Sequence, residues 1–216
     1  MRAPSTARAA EPLGVYLHVP FCERVCPYCD FAVVGVRALR PELERSFADA
    51  LLRELERVCE ELGPELEGRP LASVYLGGGT PSLLEPATLA RLLEALGARF
   101  PGPAHEVTLE LNPGQLERAR IPGFRAAGVT RASLGVQALD DAVLRRLGRG
   151  HAAADARAGL EACLCAGFAS LSADLIYGAP GQDPGSLLAG ADELIGLGVP
   201  HVSAYALTIE PDTPFA

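Results

Sequence analysis

One unit recurs along the 216-residue chain: a short run rich in β-forming residues, a glycine or polar turn, and then a helix. Strands that alternate with helices predict a parallel sheet with right-handed crossovers, either doubly wound or a partial barrel. In both arrangements the loops at the carboxyl ends of the strands form the functional site. The predicted strands are Gly14–Val19, Ala72–Leu76, Glu106–Leu111, Arg131–Val136, Ser170–Ile176 and His201–Leu207.

Prolines mark several predicted helix bounds. The first helix is expected from Pro41 to Leu62, because its leucines recur at helical spacing and proline suits the first helical position. Pro86 and Pro184 open two later helices in the same way. Pro122 is expected to split the third crossover into a turn and a short helix ending at Gly128, because proline lacks the N–H that a helix interior needs.

The chemically informative residues follow the predicted strands, so they should meet at one edge of the sheet. This coincidence is a stronger signal than any one of the motifs. The segments are Cys22–Cys29, Gly77–Thr80, Asn112-Pro113, Gln137 and Tyr177–Gly181.

Three cysteines, Cys22, Cys26 and Cys29, form a Cys-x3-Cys-x2-Cys run after the first strand. Three thiolates on one loop can ligate three irons of a cubane cluster and leave the fourth iron open for a substrate or cofactor. The alternative is a structural zinc ion with His18 as the fourth ligand, in a zinc-stabilised α/β binding module. The open cluster is favoured, because His18 would lie inside the strand and closed zinc sites usually pair their ligands on hairpins.

A glycine run, Gly77-Gly78-Gly79, precedes Thr80-Pro81. It lets a ligand approach the backbone closely and exposes N–H groups that suit an anion. A tight strand-to-helix turn is the alternative. Glu110 is expected to point into the barrel interior, where it needs an amino or hydroxyl partner or a salt bridge to an arginine. Gln137, Arg149 and Asp174 should converge on the same mouth, and together these groups suit a zwitterionic, nucleoside-like ligand.

Composition limits the remaining classes of function. The formal charge of −8 argues against a broad nucleic-acid surface, and no apolar run approaches the length of a membrane span. Residues 1–13 lack the apolar core of a secretory signal and are expected to form a flexible arm before a core domain of residues 14–216. Six cysteines without a signal indicate a reducing, cytoplasmic compartment. Cys59, Cys163 and Cys165 lie in helical patterns and are expected in or near the core.

The cysteine run followed by Gly-Gly-Gly-Thr-Pro resembles the radical S-adenosylmethionine (SAM) superfamily. Further stretches resemble its oxygen-independent coproporphyrinogen III oxidase-like family: Ser133–Asp140, Leu147–His151, Asp174–Gln182 and Tyr205–Pro214. The resemblance runs from about Val15 to the end of the chain. It implies an α/β fold, a partial (β/α)6 TIM-like barrel with a [4Fe-4S] cluster. The reduced cluster cleaves SAM to methionine and a 5′-deoxyadenosyl radical.

The resemblance also implies roles for individual residues. Cys22, Cys26 and Cys29 match the cluster ligands, and Tyr16, Gly78 and Glu110 match positions that touch the first SAM. The positions that touch a second SAM in the oxidase are matched by Tyr28, Gly79, Thr80, Gln137, Arg149, Asp174 and Ala206.

Two departures from the oxidase pattern favour the heme-chaperone (HemW-type) branch of the family. The oxidases carry a further cysteine two residues after the third ligand, where this chain has Phe31, and they carry a longer N-terminal extension. The expected function is therefore heme binding for transfer to an acceptor protein, with flavodoxin or ferredoxin as electron donor. The alternative is oxidative decarboxylation of coproporphyrinogen III to protoporphyrinogen IX. The family's C-terminal domain is expected to be missing from this chain.

Overall fold

The computed structural model describes residues 11–216, and a parallel sheet of six strands organises them. Each strand pairs with the next one in the chain, and every pairing in this sheet is parallel. The second, fourth and fifth strands run further than predicted, because pairing continues to Gly78, Gln137 and Tyr177. The strands are β1 (Leu13–Val19), β2 (Leu71–Gly78), β3 (Glu106–Leu111), β4 (Arg131–Gln137), β5 (Ser170–Tyr177) and β6 (His201–Ala206).

The sequential strand order decides between the two predicted architectures. A doubly wound sheet reverses its strand order at a switch point, whereas this order never reverses in the described residues. Right-handed crossovers in one direction put all the helices on one face and leave the other face as the concave interior. The expected partial (β/α)6 barrel is therefore confirmed, with β1 and β6 as its two edges.

Three helices begin at the predicted prolines, Pro41, Pro86 and Pro184. Most helix ends lie within two residues of the predicted ones. A separate helical turn, Gly63–Leu66, follows the first helix, and a 3-10 turn, Pro81–Leu83, follows β2. The predicted arm of residues 1–13 falls almost wholly outside the described residues. The helices are α1 (Pro41–Glu61), α2 (Pro86–Arg99), α3 (Gln115–Ala126), α4 (Asp141–Arg146), α5 (Ala153–Ala166) and α6 (Pro184–Gly196).

The prediction that Pro122 breaks the third crossover is wrong, because α3 runs without interruption from Gln115 to Ala126 with Pro122 inside it. The physical reason is packing on either side of the proline. Ile121 is 1% exposed and Phe124 is fully buried, whereas Pro122 itself faces solvent. Burial of the two apolar side chains outweighs the loss of one helical hydrogen bond.

The two faces of the sheet differ in character. Val74, Leu76, Leu109 and Leu134 alternate along their strands on the convex face and lie in one buried cluster with helix side chains. Cys59 and Cys163 belong to this core as predicted, but Cys165 is exposed. The prediction for Cys165 is wrong because it lies two positions after Cys163, and residues two apart in a helix point in different directions.

The length and apolar content of the helices bear on membrane insertion. None of the helices in residues 11–216 combines the length and the apolar composition needed to cross a bilayer.

Replacement of Pro122 by alanine should stabilise the protein. The ring faces solvent, and alanine restores the N–H that can donate to the carbonyl of Arg118. We expect the free energy of unfolding to rise by about 1–2 kcal/mol, measured by urea denaturation of the metal-free protein. Pro184→Ala is the matched control: Pro184 is the first residue of α6, where no N–H is required, so it should give no gain. Equal effects of the two substitutions would contradict this account.

Candidate cluster and cofactor site

The three predicted cysteine ligands lie on a loop that is pinned to the end of β1. Cys22 belongs to a two-residue strand, Phe21–Cys22, which pairs with Val34–Gly35 and closes the loop. The backbone N–H of Val36 donates to the carbonyl of Cys22 at 2.8 Å. Within the loop, the N–H of Cys29 donates to the carbonyl of Cys26 at 3.0 Å. We refer to residues 22–34 as the cysteine loop.

His18 fastens the far side of the cysteine loop. Its Nε2 lies 2.8 Å from the carbonyl oxygen of Ala32, and its Nδ1 lies 3.0 Å from the hydroxyl of Tyr16. A neutral imidazole donates through one nitrogen and accepts through the other, so these two contacts use the whole ring. This arrangement disfavours His18 as a zinc ligand.

A cavity of about 430 Å³ opens at the carboxyl ends of the strands, next to the cysteine loop. Every predicted site residue lines this cavity except Tyr16, which lies on the edge strand β1 and is 56% exposed. The lining residues from the prediction are Cys22, Cys26, Tyr28, Cys29, Gly78, Gly79, Thr80, Glu110, Gln137, Arg149, Asp174 and Ala206.

The cysteine thiols are free and close enough to influence one another. Burial raises the pKa of the Cys22 thiol, with smaller contributions in the same direction from Cys29 and Cys26. Burial also raises the pKa of the Cys29 thiol, against a hydrogen bond from the backbone of Phe31. Within residues 11–216 no set of three or more His, Cys, Asp or Glu side chains is arranged as a ready site for one metal ion.

A cubane makes a different demand, because its three thiolates bind separate irons. The arrangement that suits it is three free thiols facing one cavity, which Cys22, Cys26 and Cys29 provide. Two of these sulfurs also have side-chain hydrogen-bond donors: the Thr80 hydroxyl lies 3.6 Å from Cys22 Sγ, and Arg149 Nη1 lies 3.3 Å from Cys26 Sγ. Free thiols with such donors fit a bound cluster.

Glu110 has the hydroxyl partner that its predicted interior position requires. The Tyr75 hydroxyl donates to its Oε1 at 2.7 Å, and the backbone N–H of Gly78 donates to its Oε2 at 3.1 Å. Burial raises the pKa of the Tyr75 hydroxyl, and the hydrogen bond to Glu110 raises it further. The carboxylate is thus fixed in orientation at the cavity wall by β2 and the glycine run.

The glycine run allows the end of β2 to pack closely against the end of β1 and the Phe21 backbone. A Cβ on Gly78, whose φ is +111°, would lie 2.5 Å from the His18 ring. A Cβ on Gly79 would lie 2.7 Å from the carbonyl oxygen of Phe21. The close approach expected of a ligand is therefore made here by His18 of β1 and by the Phe21 backbone, while Gly78 and Gly79 still line the cavity.

Three further predicted residues come from the later strands. Gln137 ends β4 with a φ of +65°, a left-handed conformation that is uncommon for a residue with a side chain. Asp174 lies on the concave face of β5, where burial raises the pKa of its carboxyl group and Glu110 adds to the effect. Ala206 ends β6 at the cavity wall.

The sequence placed Asn112 at the functional edge of the sheet but did not predict a ligand or partner for it. Its Nδ2 donates to the Thr80 hydroxyl oxygen at 3.0 Å, and its Oδ1 accepts a short hydrogen bond from Arg149 Nη2. Alternation along β3 could have found it, because Asn112 follows Glu110 by two positions and so points to the same face. Ser133, Arg131 and Tyr205 were also left out, although Ser133 and Tyr205 line the cavity.

The geometry agrees with the comparison to known proteins. The profile of the radical SAM superfamily matches residues 16–194. The chain belongs to the radical SAM superfamily. Membership implies a [4Fe-4S] cluster and SAM as cofactors.

Curated relatives and a solved structure narrow the family. The chain is 38% identical over 206 residues to the heme chaperone HemW of Haemophilus influenzae, covering 95% of this chain and 53% of that protein. It is 40% identical over 207 residues to HemW of Mycobacterium tuberculosis, covering 95% and 52%. The fold matches coproporphyrinogen III oxidase HemN from Escherichia coli with a TM-score of 0.78 and 29% identity, covering 95% of this chain and 46% of that one. The family predicted from the motifs is confirmed, and the chain spans about half the length of the curated relatives it matches.

The stability of the metal-free protein should depend on His151. Burial, and then the charge of Arg149, lower the pKa of the His151 imidazole to about 4. The unfolded imidazole titrates near 6.5, so the folded state binds this proton less readily. The contribution of the neutral His151 ring to stability is intact above a pH of about 6.5 and is lost as the pH falls towards about 4, at a cost of about 3 kcal/mol.

Urea unfolding of wild type and His151→Asn near pH 7 and near pH 4.5 checks this prediction. The variant should lose less stability on acidification, because asparagine does not titrate. Asp174 and Glu117, whose carboxyl pKa values burial raises, act in the opposite direction in both proteins and drop out of the difference. His105→Asn, at an exposed position, is the control and should follow wild type. Identical acid sensitivity of wild type and His151→Asn would contradict the assignment.

Proposed function

We propose that this chain is the radical SAM core of a heme chaperone. In this proposal it carries a [4Fe-4S] cluster on Cys22, Cys26 and Cys29, binds SAM beside them, and binds heme for transfer to an acceptor protein. The observation that carries the proposal is the common cavity of the three thiols and Glu110, in a chain whose curated relatives are named heme chaperones. Heme binding and transfer are proposed for the whole protein, because this chain spans about half of those relatives.

The cysteine loop supplies the ligands, and the bound cluster would supply one-electron reducing chemistry with flavodoxin or ferredoxin as donor. The task of the chain is to keep the three thiols together at one cavity wall. Short-strand pairing at Cys22 and the His18 contact to Ala32 hold the two ends of the loop. The support for ligation is that these thiols are free and face one cavity, and that two of them have side-chain hydrogen-bond donors.

SAM has an ammonium and a carboxylate, and the cavity wall has groups that suit both. Each oxygen of Glu110 accepts one hydrogen bond and keeps a lone pair for another donor, such as an ammonium or a hydroxyl. The backbone of Gly78 and Gly79, the Gln137 amide and the Asp174 carboxyl group offer further contacts across the cavity. Tyr16 stays a predicted SAM contact, and its position outside the lining makes it the weakest member of the set.

The residues that match second-SAM positions of the oxidase fall into two groups, those that contact the cysteine sulfurs and those that do not. Thr80 and Arg149 already contact cysteine sulfurs, and burial raises the pKa of the Tyr28 hydroxyl, so this ring stays neutral beside Arg149. The members left to contact a ligand are Tyr28, Gly79, Gln137, Asp174 and Ala206. We therefore assign Thr80 and Arg149 to the cluster side of the cavity rather than to a second SAM.

Phe31 favours the chaperone over the oxidase. It stands two residues after Cys29, where the oxidases resembled by this chain have a cysteine, and its side chain is 66% exposed at the cavity wall. A phenyl ring has no lone pair to ligate iron or exchange a proton, but it offers apolar surface to a flat macrocycle. This position therefore suits binding of a tetrapyrrole better than its oxidation.

Cys26→Ala should remove most of the iron after anaerobic reconstitution, because a cubane held by two thiolates loses one of its three anchors. Cys165→Ala is the matched control: it removes an exposed cysteine from α5, so iron, sulfide and the visible spectrum should stay at wild-type levels. Iron and acid-labile sulfide assays make the measurement. Wild-type iron content in Cys26→Ala would contradict the ligand assignment.

Anaerobic titration of the reconstituted protein with heme tests the chaperone assignment. We expect a saturable shift of the Soret band, and an affinity about tenfold weaker in Phe31→Ala, because a buried phenyl contact contributes about 1.5 kcal/mol or more. Leu62→Ala, which changes an exposed apolar side chain at the end of α1, should bind as wild type does.

Three other outcomes would point elsewhere. The absence of a stable heme complex, in this chain and in its longer relatives, would remove the chaperone function. Protoporphyrin formed from coproporphyrinogen III with SAM and a reductant would establish the oxidase instead. Zinc without iron or sulfide in anaerobically purified protein would support the zinc-stabilised binding module.

A further inference from the structure

We propose that Asn112 is a positioning residue that directs hydrogen bonds onto two of the cysteine ligands, Cys22 and Cys26. The inference rests on the proposed cluster at the cysteine loop. Asn112 is the one asparagine in the sequence, and it follows β3 directly. It touches neither sulfur itself; it acts through Thr80 on one side and through Arg149 on the other.

Arg149 fixes the orientation of the Asn112 amide. A guanidinium has donors and no acceptor, so the atom that faces Arg149 Nη2 must be the carbonyl oxygen Oδ1. The amide nitrogen Nδ2 is then turned towards Thr80, 3.0 Å from its hydroxyl oxygen. A flipped amide would put two donors face to face at Arg149 and leave Thr80 without this hydrogen bond.

The direction of the Thr80 hydroxyl follows from the same contact. Its oxygen accepts from Asn112 Nδ2, so its own hydrogen is free to point away from that amide. Cys22 Sγ lies 3.6 Å from this oxygen, within hydrogen-bond distance for sulfur. Thr80 is 5% exposed and Cys22 is 8% exposed, so few water molecules compete for the hydroxyl.

Arg149 is held on its other side by the backbone. Its Nη2 donates to the carbonyl of Gly135 at 3.2 Å as well as to Asn112, and its Nη1 reaches Cys26 Sγ at 3.3 Å. A Cβ at Gly135 would lie 3.0 Å from Gln137 Nε2 and 3.4 Å from both Arg149 Nη2 and Asn112 Oδ1, so the side chains around this glycine are closely packed. Arg149 Nε is buried without a hydrogen-bond partner in the described structure, so the side chain is held at its tip.

These contacts form one path from Cys22 through Thr80, Asn112 and Arg149 to Cys26. Cys29 lies outside the path and has the backbone of Phe31 as its donor instead. Reduction adds negative charge to a cluster and its thiolates, and hydrogen bonds and a cation at the sulfurs stabilise that charge. The path should therefore raise the reduction potential, and Asn112 should control two ligands together.

The experiment compares the reconstituted wild type, Asn112→Ala, Asn112→Asp and the control Gln115→Ala, which changes an exposed amide three residues further on. The readouts are iron and sulfide content, the midpoint potential from an anaerobic titration followed by EPR, and the EPR line shape of the reduced cluster. Asn112→Ala should keep the cluster but shift the potential negative. At a fixed potential the reduced-to-oxidised ratio should fall about tenfold, which is 59 mV for a one-electron couple.

Asn112→Asp and a Thr80→Val background test the Arg149 and Thr80 sides of the path. Aspartate still accepts from Arg149 but has no N–H for Thr80, and it adds a negative charge, so its potential should be at least as low as that of Asn112→Ala. In a Thr80→Val background, Asn112→Ala should cause a smaller shift, because the Thr80 arm is already absent. Gln115→Ala should match wild type in every readout.

The outcomes are distinguishable. Wild-type protein without iron and sulfide refutes the proposed cluster, and with it the function. A wild-type cluster together with an unchanged potential in Asn112→Ala overturns the role of Asn112 alone. If Asn112→Ala does not assemble a cluster, Thr80→Ser and Thr80→Val decide: serine keeps the hydroxyl and should match wild type, valine should shift negative, and equal potentials overturn the inference.

Discussion

Parallel pairing of β1 with β2 determines where the rest of the site can lie. The pairing runs to Val19 and Gly78, so the cysteine loop and the glycine run leave the sheet side by side. Backbone hydrogen bonds then continue beyond the strands: Gly79 donates to the carbonyl of Val19, and Thr80 to that of Phe21, both at 2.8 Å. This continuation brings the Thr80 hydroxyl within reach of Cys22 Sγ. A side chain at Gly79 would push the two segments apart, because its Cβ would meet the carbonyl oxygen of Phe21.

The concave face of the sheet tolerates polar side chains because they hydrogen-bond to one another. Arg131 donates to the hydroxyl oxygens of Thr108 and Ser172, and Ser133 contacts Ser172 at 2.8 Å. The positive charge of Arg131 opposes the rise of the pKa of the Asp174 carboxyl group. Polar groups without partners would be costly in such a buried layer. The layer gives the cavity a floor that tolerates a charged ligand, while the opposite face of the same strands builds the apolar core.

The sequence predicted the order of elements well, because each strand is a short β-rich run closed by a glycine or polar turn. It also predicted which residues meet, since the carboxyl ends of parallel strands share one edge. A prediction failed where tertiary contacts decide, because buried Ile121 and Phe124 carry a helix through Pro122. The role of Asn112 depends on how far side chains from other elements reach, which no local pattern records.

The six-stranded sheet is open at its two edges as well as at the carboxyl ends of its strands. In residues 11–216, β1 and β6 are edge strands, so the concave face is not enclosed by a ring of strands. A closed eight-stranded barrel has an interior just wide enough for its own side chains. Here no ring of strands fixes the width of the interior, so the space available to a ligand depends on the lining side chains and on whatever covers the two edge strands.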